Sequence, residues 1–309
     1  MSKIIPLPGL RAENLLGFLA ALGLYRIIQA ETKGARLLWL PDGGGWCAAF
    51  EVPDSSYSHA SHISQRAAAL LDALPKPHWI LDWERFLTKT FQDETDYYRN
   101  AALAWLIGDN KEDHSAVFTA QLPEISAVTE PEHFDHPFRA ARKDYFPGNL
   151  KSVLNSTTAS HLHRAIAQPW DYMDAMANQS LRLDHGDDRR HAYQWHAPTE
   201  DPARQKVGCM LGANRLAIEA FPFFPCLPQA DGGTAVGFTC SSKTYTWITW
   251  PVWSKPCAKE VISSLLNHHL LARDSEDSAS LGAIGVVAVY ESRRLPVEKN
   301  KVFLPPTLK

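Results

Sequence analysis

Cysteine is scarce and scattered in this chain. The five are Cys47, Cys209, Cys226, Cys240 and Cys257, an odd count, and the last four lie 17, 14 and 17 positions apart. No two form the C-x-x-C pair of a zinc site or a thioredoxin-like motif. With no framework to close, the thiols read as free and buried in a reducing compartment, which points to the cytoplasm. Long hydrophobic runs are missing too, and none approaches the ~18–20 residues that cross a bilayer. The most apolar stretch, Leu15 to Ile28, is interrupted by Gly17, Gly23 and Arg26. It lacks the basic start and small-residue cleavage pattern of a signal peptide, so it reads as a buried helix, and no membrane partner is expected. Internal repeats and low-complexity segments are absent.

Local catalytic signatures are also missing. There is no G-x-x-x-x-G-K-[ST] to cradle phosphate and no G-x-S-x-G elbow to expose a serine. No H-E-x-x-H sets two imidazoles on one helical face, and no His-Asp dipeptide occurs. Asp184-His185-Gly186-Asp187-Asp188 comes nearest to a metal constellation, with oxygen donors that suit Mg²⁺. Arg189 and Arg190 follow at once and offer those acids salt-bridge partners, so a structural or binding loop is the expected reading and a metal site the alternative. His59-x-x-His62 and His133-x-x-His136 have the spacing of one helical face. Neither has a nearby cysteine or third histidine, so both read as solvated. No catalytic residue, cofactor or metal ligand is expected.

What is present is ordinary globular material: 309 residues, 45% apolar and 21% charged, enough for one large or two medium domains. Charge is uneven. Residues 1–138 hold 11 Lys and Arg against 18 Asp and Glu, a balance of −7, and residues 139–309 hold 20 against 16, a balance of +4. That places a candidate division at 138/139, between an acidic N-terminal part and a basic, aromatic remainder, with a single domain as the alternative. The asymmetry suits a protein that meets phosphate on one side and protein on the other; chance fluctuation would produce it as well.

The pattern predicts an α+β fold with an N-terminal β-α-β-β unit, a helical middle and a mixed strand/helix C-terminal part. Lys3 to Leu7 reads as a strand closed by a Pro8-Gly9 turn. Asn14 caps a helix whose Leu15, Phe18, Leu19, Leu22 and Tyr25 recur at helical spacing and bury one face against the next two strands. Those strands are residues 36–40 and 46–52, joined by a loop through Pro41-Asp42 and Gly43-Gly44-Gly45. Helices are expected over 60–74, 96–107, 149–167, 169–178 and 258–272, with loops or a seam over 109–147. Strands are expected at 235–240, 244–250 and 285–290, followed by a basic tail in which Pro305-Pro306 makes an extended arm.

From 139 to 215 the chain interleaves cations with aromatics. Arg139, Arg142, Lys143, Lys151, Arg164, Arg182, Arg189, Arg190, Arg204, Lys206 and Arg215 alternate with Tyr145, Phe146, Trp170, Tyr172, Tyr193 and Trp195. Arg293, Arg294, Lys299 and Lys301 form a second basic group. Cations neutralise phosphates and aromatic faces stack on exposed bases, so these are candidate nucleic-acid contacts. Eight acids share the first segment, and a solvated surface is the bland reading.

Particular strings carry a resemblance. Leu10-Arg11-Ala12-Glu13-Asn14-Leu15-Leu16-Gly17-Phe18-Leu19-Ala20-Ala21-Leu22-Gly23-Leu24 resembles the opening of CRISPR-associated proteins of type I-G systems (formerly I-U), the Cas8-like and Cas3-extension group. The likeness continues through Leu181 to Asp184, Asp188 to Trp195, Gly212 to Ala220, Trp247 to Trp253, Gly285-Val286-Val287 and Ser292-Arg293-Arg294. It implies a non-catalytic subunit of an RNA-guided, Cascade-type effector complex in antiviral defence. Its partners would be other effector subunits, the guide RNA complex, target double-stranded DNA and the helicase-nuclease it helps recruit. In such complexes base pairing reads the target, while protein reads a short flanking duplex and holds strands. No catalytic residue carries over. Arg142, Lys143, Lys151, Arg164, Arg182, Arg189, Arg190, Arg204, Lys206, Arg215, Arg293 and Arg294 are the expected DNA contacts. A stand-alone metal-dependent nuclease and a protein–protein adaptor are the alternatives.

The missing motifs generate a first prediction. Purified alone, the chain cleaves neither labelled DNA nor labelled RNA with Mg²⁺ or Mn²⁺, assayed on denaturing gels. Cleavage abolished by Asp187→Ala or Asp188→Ala would select the nuclease alternative.

Overall fold

A computed structural model describes residues 2–53, 56–74, 78, 137–140, 146–174, 180–185, 208–224, 226–227, 234–241, 244–272, 278–297 and 300–309. The expected helix over 96–107 and most of the expected loop segment 109–147 lie outside them. The fold is α+β.

The chain opens with strand β1 (Ser2–Arg11), followed by helix α1 (Leu15–Glu31) and a hairpin of β2 (Arg36–Asp42) and β3 (Gly45–Pro53). The sheet order is β1-β3-β2, antiparallel throughout. Pro6 and Pro8 lie in β1, where an edge strand tolerates the missing N–H. The turn expected at Pro8-Gly9 is not formed. The chain stays extended, and the register slips between Leu7, opposite Ala48, and Arg11, opposite Cys47. Gly9 serves a close approach instead, since a Cβ there would lie 2.1 Å from the Ala165 carbonyl oxygen. In the hairpin only Gly43 and Gly44 turn, with φ of 57° and 87°. Positive φ at both central residues matches the twist of the flanking strands, so Pro41, Asp42 and Gly45 join the ladder.

Helix α1 begins where expected: the Asn14 side chain accepts from Gly17 N–H at 3.2 Å. Its burial exceeds the expected single face. Every residue from Leu15 to Tyr25 is buried, along with Ile27 and Ile28, as for a helix hydrophobic on all sides. One side faces the sheet, and a second helix, α5 (Leu211–Ala220), covers another. Gly23 makes that crossing possible, because a Cβ there would sit 1.8 Å from the Leu216 carbonyl oxygen.

Helices α2 (Ala60–Asp72), α3 (Phe146–Ser156) and α4 (Ala159–Ala167) surround this pair. His59 caps α2 by accepting from His62 N–H at 3.3 Å, so the His-x-x-His spacing here serves a helix start. The helix expected over 169–178 is not formed in its described part. Residues 169–174 are irregular, and Asp174 forms a bridge with Cys209. Cys47, Cys209 and Cys257 are buried free thiols.

After the short pair β4 (Cys226–Leu227) and β5 (Thr234–Ala235) comes the second main sheet. It comprises β6 (Phe238–Ser241), β7 (Thr244–Trp253), β8 (Val286–Val297), β9 (Asn300–Phe303) and β10 (Thr307–Leu308). The order is β10-β8-β7-β6, with β9 also on β8. Between β7 and β8 lie α6 (Lys259–Leu266), a 3-10 turn at His269–Leu271 and α7 (Ser278–Ala283). The helix expected over 258–272 therefore ends early. Strand β7 runs through Pro251 to Trp253, tolerated because β6 pairs with β7 only as far as Ile248. Strand β8 outruns its expected end at Tyr290, so Arg293 and Arg294 stand in a sheet rather than a tail. The Pro305-Pro306 segment is likewise no free arm, since Thr307 and Leu308 pair back onto β8.

Phe18 of α1 joins the two sheets. Its ring lies 5.7 Å from Trp39, 5.8 Å from Trp250 and 6.3 Å from Trp253. The indoles of Trp250 and Trp253 donate to the carbonyls of Ala12 and Leu37 at 2.9 and 2.8 Å. At the edge of β2, Leu37 and Cys257 exchange backbone bonds of 3.0 and 2.9 Å. The buried core is continuous through all these elements.

The α1–α5 crossing yields the second prediction. Gly23→Ala gains about 1 kcal/mol of helix propensity, but the methyl meets a backbone carbonyl that cannot swing aside, and overpacking of this kind costs typically 1–3 kcal/mol. A net loss of stability is expected in urea titration. Gly148→Ala, with nothing within 4 Å of the new methyl, leaves the midpoint unchanged or raised.

Candidate nucleic-acid interface

Of the twelve basic residues read as nucleic-acid contacts, Arg142, Lys143, Arg189, Arg190, Arg204 and Lys206 lie outside the described residues. The other six fall on five segments, with Arg293 and Arg294 sharing β8. Lys151 is exposed on α3. Arg164 on α4 is engaged by two carboxylates: its Nη1 lies 2.5 Å from Asp174 Oδ1, and Nε and Nη2 meet Asp171. Those hydrogen bonds to Asp171 raise the Arg164 pKa and hold the Asp171 carboxyl below its ordinary range. Arg182 adopts φ 57°, the left-handed region that costs a non-glycine residue free energy, and its N–H donates to Ser180 Oγ at 2.9 Å.

Arg215 and Arg294 depart from the expectation of surface contacts. Both are buried, Arg294 to 1% exposure. Arg294 donates from Nη2 to the Arg139 carbonyl at 2.7 Å. The alternation of β8 explains it: Arg293 and Arg294 point to opposite faces, and only Arg293 is exposed.

Arg215 belongs to a buried charge network on α5. Glu219, with 0% exposure, receives Arg215 Nη1 at 2.6 Å, His78 Nε2 at 2.7 Å and Arg26 Nη1 at 2.9 Å. Burial alone would push the Glu219 carboxyl up; the surrounding cations, Arg215 foremost, override it and hold the group well below the ordinary carboxylate range. A second buried acid, Asp174, accepts Leu211 N–H at 2.7 Å at the start of α5, besides Arg164. Asp184, from the loop read as a possible metal site, is fully buried and accepts the Tyr172 hydroxyl at 2.8 Å. Asp187 and Asp188 lie outside the described residues, and among those described no cluster of three metal-ligating side chains occurs.

The exposed cation Arg293 stands over the ring of Trp247, 5.9 Å from its centroid. The two are cross-strand partners of β7 and β8, and Thr239 of β6 faces Trp247 on the other side. Thr239, Trp247 and Arg293 therefore form one row across three strands, on the face turned away from the Phe18 cluster. In the next row, Thr249 lies beside Glu291. Thr239 and Thr249 line an open cleft of 250 Å³, together with Gly237, Asn267, His268 and His269. The two imidazoles stack with centroids 4.7 Å apart. His268 Nδ1 accepts Leu270 N–H at 3.3 Å, which leaves Nε2 as the proton-bearing nitrogen of the neutral ring.

Sequence reading singled out Arg293 but missed its partner, the cleft and the histidine pair. Period-2 alternation in Trp247 to Trp253 could have placed Trp247 opposite Trp250. Nothing local announced that His268 and His269 would return to that face. No family model, curated protein or solved structure matches the chain. The fold and site thus define an α+β protein with an aromatic and cationic sheet face. Among the described residues no helix is long and apolar enough to cross a membrane.

The Glu219 network gives the third prediction. A carboxyl held below its unfolded value near 4.5 contributes full stability above that value and loses it as pH falls further. Glu219→Gln strands Arg215 in the interior without a carboxylate, at a cost of about 3–5 kcal/mol. Urea titrations over about pH 3–7 should show that loss at neutral pH and a shallower acid slope in the variant.

Proposed function

We propose that this protein is a non-catalytic subunit of an RNA-guided, Cascade-type CRISPR effector complex that contacts target DNA and helps recruit the helicase-nuclease. The strings that resemble the type I-G group support this reading; Asp188 to Trp195 lies outside the described residues, and the others are linked in the fold. The opening string is the end of β1 and helix α1; Gly212 to Ala220 is α5, packed on α1 at Gly23. Leu181 N–H donates to Asn214 Oδ1 at 2.8 Å, tying a third string to the second. Trp247 to Trp253 and Ser292-Arg293-Arg294 pair with each other in β7 and β8.

The single observation that carries DNA contact is the exposed Arg293 guanidinium set over Trp247. A flat cation with five donors, held by a ring beneath it, grips phosphate while keeping little freedom to lose. Of the other described candidates, Arg215 and Arg294 are buried, Arg164 meets two carboxylates, and Lys151 and Arg182 lie on other segments, so this pair bears the weight of the proposal.

Two measurements test it. A tagged chain expressed with its native operon should co-purify with partner subunits and a guide RNA of uniform length; a chain isolated without RNA or partners would sink the proposal. In the assembled complex, Arg293→Ala should lower affinity for target duplex evenly across flanking sequences and reduce the salt-dependence slope by about one unit.

A further inference from the structure

The cleft beside Trp247 has a use that duplex contact does not explain. We infer that the row Thr239–Trp247–Arg293 and the adjoining cleft form a slot for single-stranded DNA, with one unpaired base seated in the cleft and its phosphate at Arg293. This rests on the DNA-contact reading and narrows it to a strand that has left the duplex.

Three features lead there. The first is size. A cleft of 250 Å³ falls just below the ~300–1,000 Å³ of pockets for drug-sized ligands, which suits one planar ring system and excludes a double helix. The second is the lining. The stacked imidazoles His268 and His269 and the residues Thr239 and Thr249 line it, together with apolar side chains such as Val236, Phe238 and Leu271. Flat π-faces with a few donors and acceptors match a nucleobase, which offers both a stacking face and a polar edge. The third is continuity. Thr239 lines the cleft and is also the cross-strand neighbour of Trp247, and directly paired side chains sit ~4.5–5.5 Å apart at Cβ. A base leaving the cleft meets the Trp247 indole next, and the backbone between them passes Arg293.

The test uses the purified full chain and two fluorescein-labelled probes, a 15-nucleotide oligo-dT and a 15-base-pair duplex, with anisotropy and tryptophan quenching as readouts. Trp247→Ala should weaken oligo-dT binding at least about fivefold, by a larger factor than it weakens duplex binding. Trp247→Phe, which keeps a stacking ring, should restore most of the affinity, and His268→Ala with His269→Ala should weaken oligo-dT binding in the same way. Thermal melts confirm that each variant is folded. Equal losses on both probes with no rescue by Phe would overturn the slot and leave DNA contact standing. So would duplex binding by a wild-type chain that ignores oligo-dT. Tighter binding of oligo-U than oligo-dT overturns the commitment to DNA, and a chain that binds neither DNA probe, alone or in its complex, overturns both readings.

Discussion

The contact on which the rest of this structure depends is the ring cluster of Phe18, Trp39, Trp250 and Trp253. Phe18 belongs to α1, Trp39 to the first sheet and the last two to the second. Each aromatic pair is worth about 0.5–1.5 kcal/mol beyond the area it buries. More important is the geometry that two of the indoles impose through their N–H groups, because a buried N–H gains free energy by finding an acceptor; Trp39 Nε1 in the same cluster has none among the described residues. Trp250 finds Ala12 and Trp253 finds Leu37, which docks β7 on the N-terminal unit in one orientation. That orientation turns Trp247, Thr249 and Pro251 to the opposite face. The candidate interface lies at the end of that opposite face, where Trp247 is half-buried while Thr249 and Pro251 are buried.

Helix α5 solves a different problem. It is buried over its whole length, yet it carries Asn214, Arg215 and Glu219. A buried charge is tolerated only when paired and hydrogen-bonded. Arg215 and Glu219 stand four residues apart, on one helical face, and Arg26 and His78 complete the carboxylate's coordination. Asn214 uses its other capacity to hold Leu181 in place. The polar residues of α5 thus fix which segments may lie against it, where apolar packing alone would allow sliding.

A basic residue in the sequence therefore says little about where its charge is spent. Arg215 and Arg294 spend theirs inside the fold, and Arg164 on two carboxylates. Arg293 differs from Arg294 only by one step along a strand, and that step moves the side chain from the core to solvent. Among the described residues, what remains is the Arg293 guanidinium over the Trp247 indole, beside a cleft lined by His268, His269, two threonines and several apolar side chains. Such a surface suits binding by stacking and a single phosphate contact better than broad electrostatic capture.

Much of the fold was legible from local chemistry. Asn14 before an apolar stretch marks the start of α1, paired glycines mark the β2–β3 turn, and alternating aromatic runs mark β7. These features depend on near neighbours, so the sequence by itself determined them, and with them the α+β class and the buried character of α1. Elements whose cause is distant were misread. Pro8-Gly9 looks like a turn until Ala165 supplies the reason for a glycine. The segment after Pro169 scans as helix until Cys209 claims Asp174, and the basic tail scans as free until β8 captures it. The interface belongs to this second kind. His268, Thr239, Trp247 and Arg293 are separated by up to 54 positions, and no local rule joins them. Only the tertiary structure decided that they come to one side of the sheet, because strand pairing and the burial of Trp250 set which side of β7 carries Trp247.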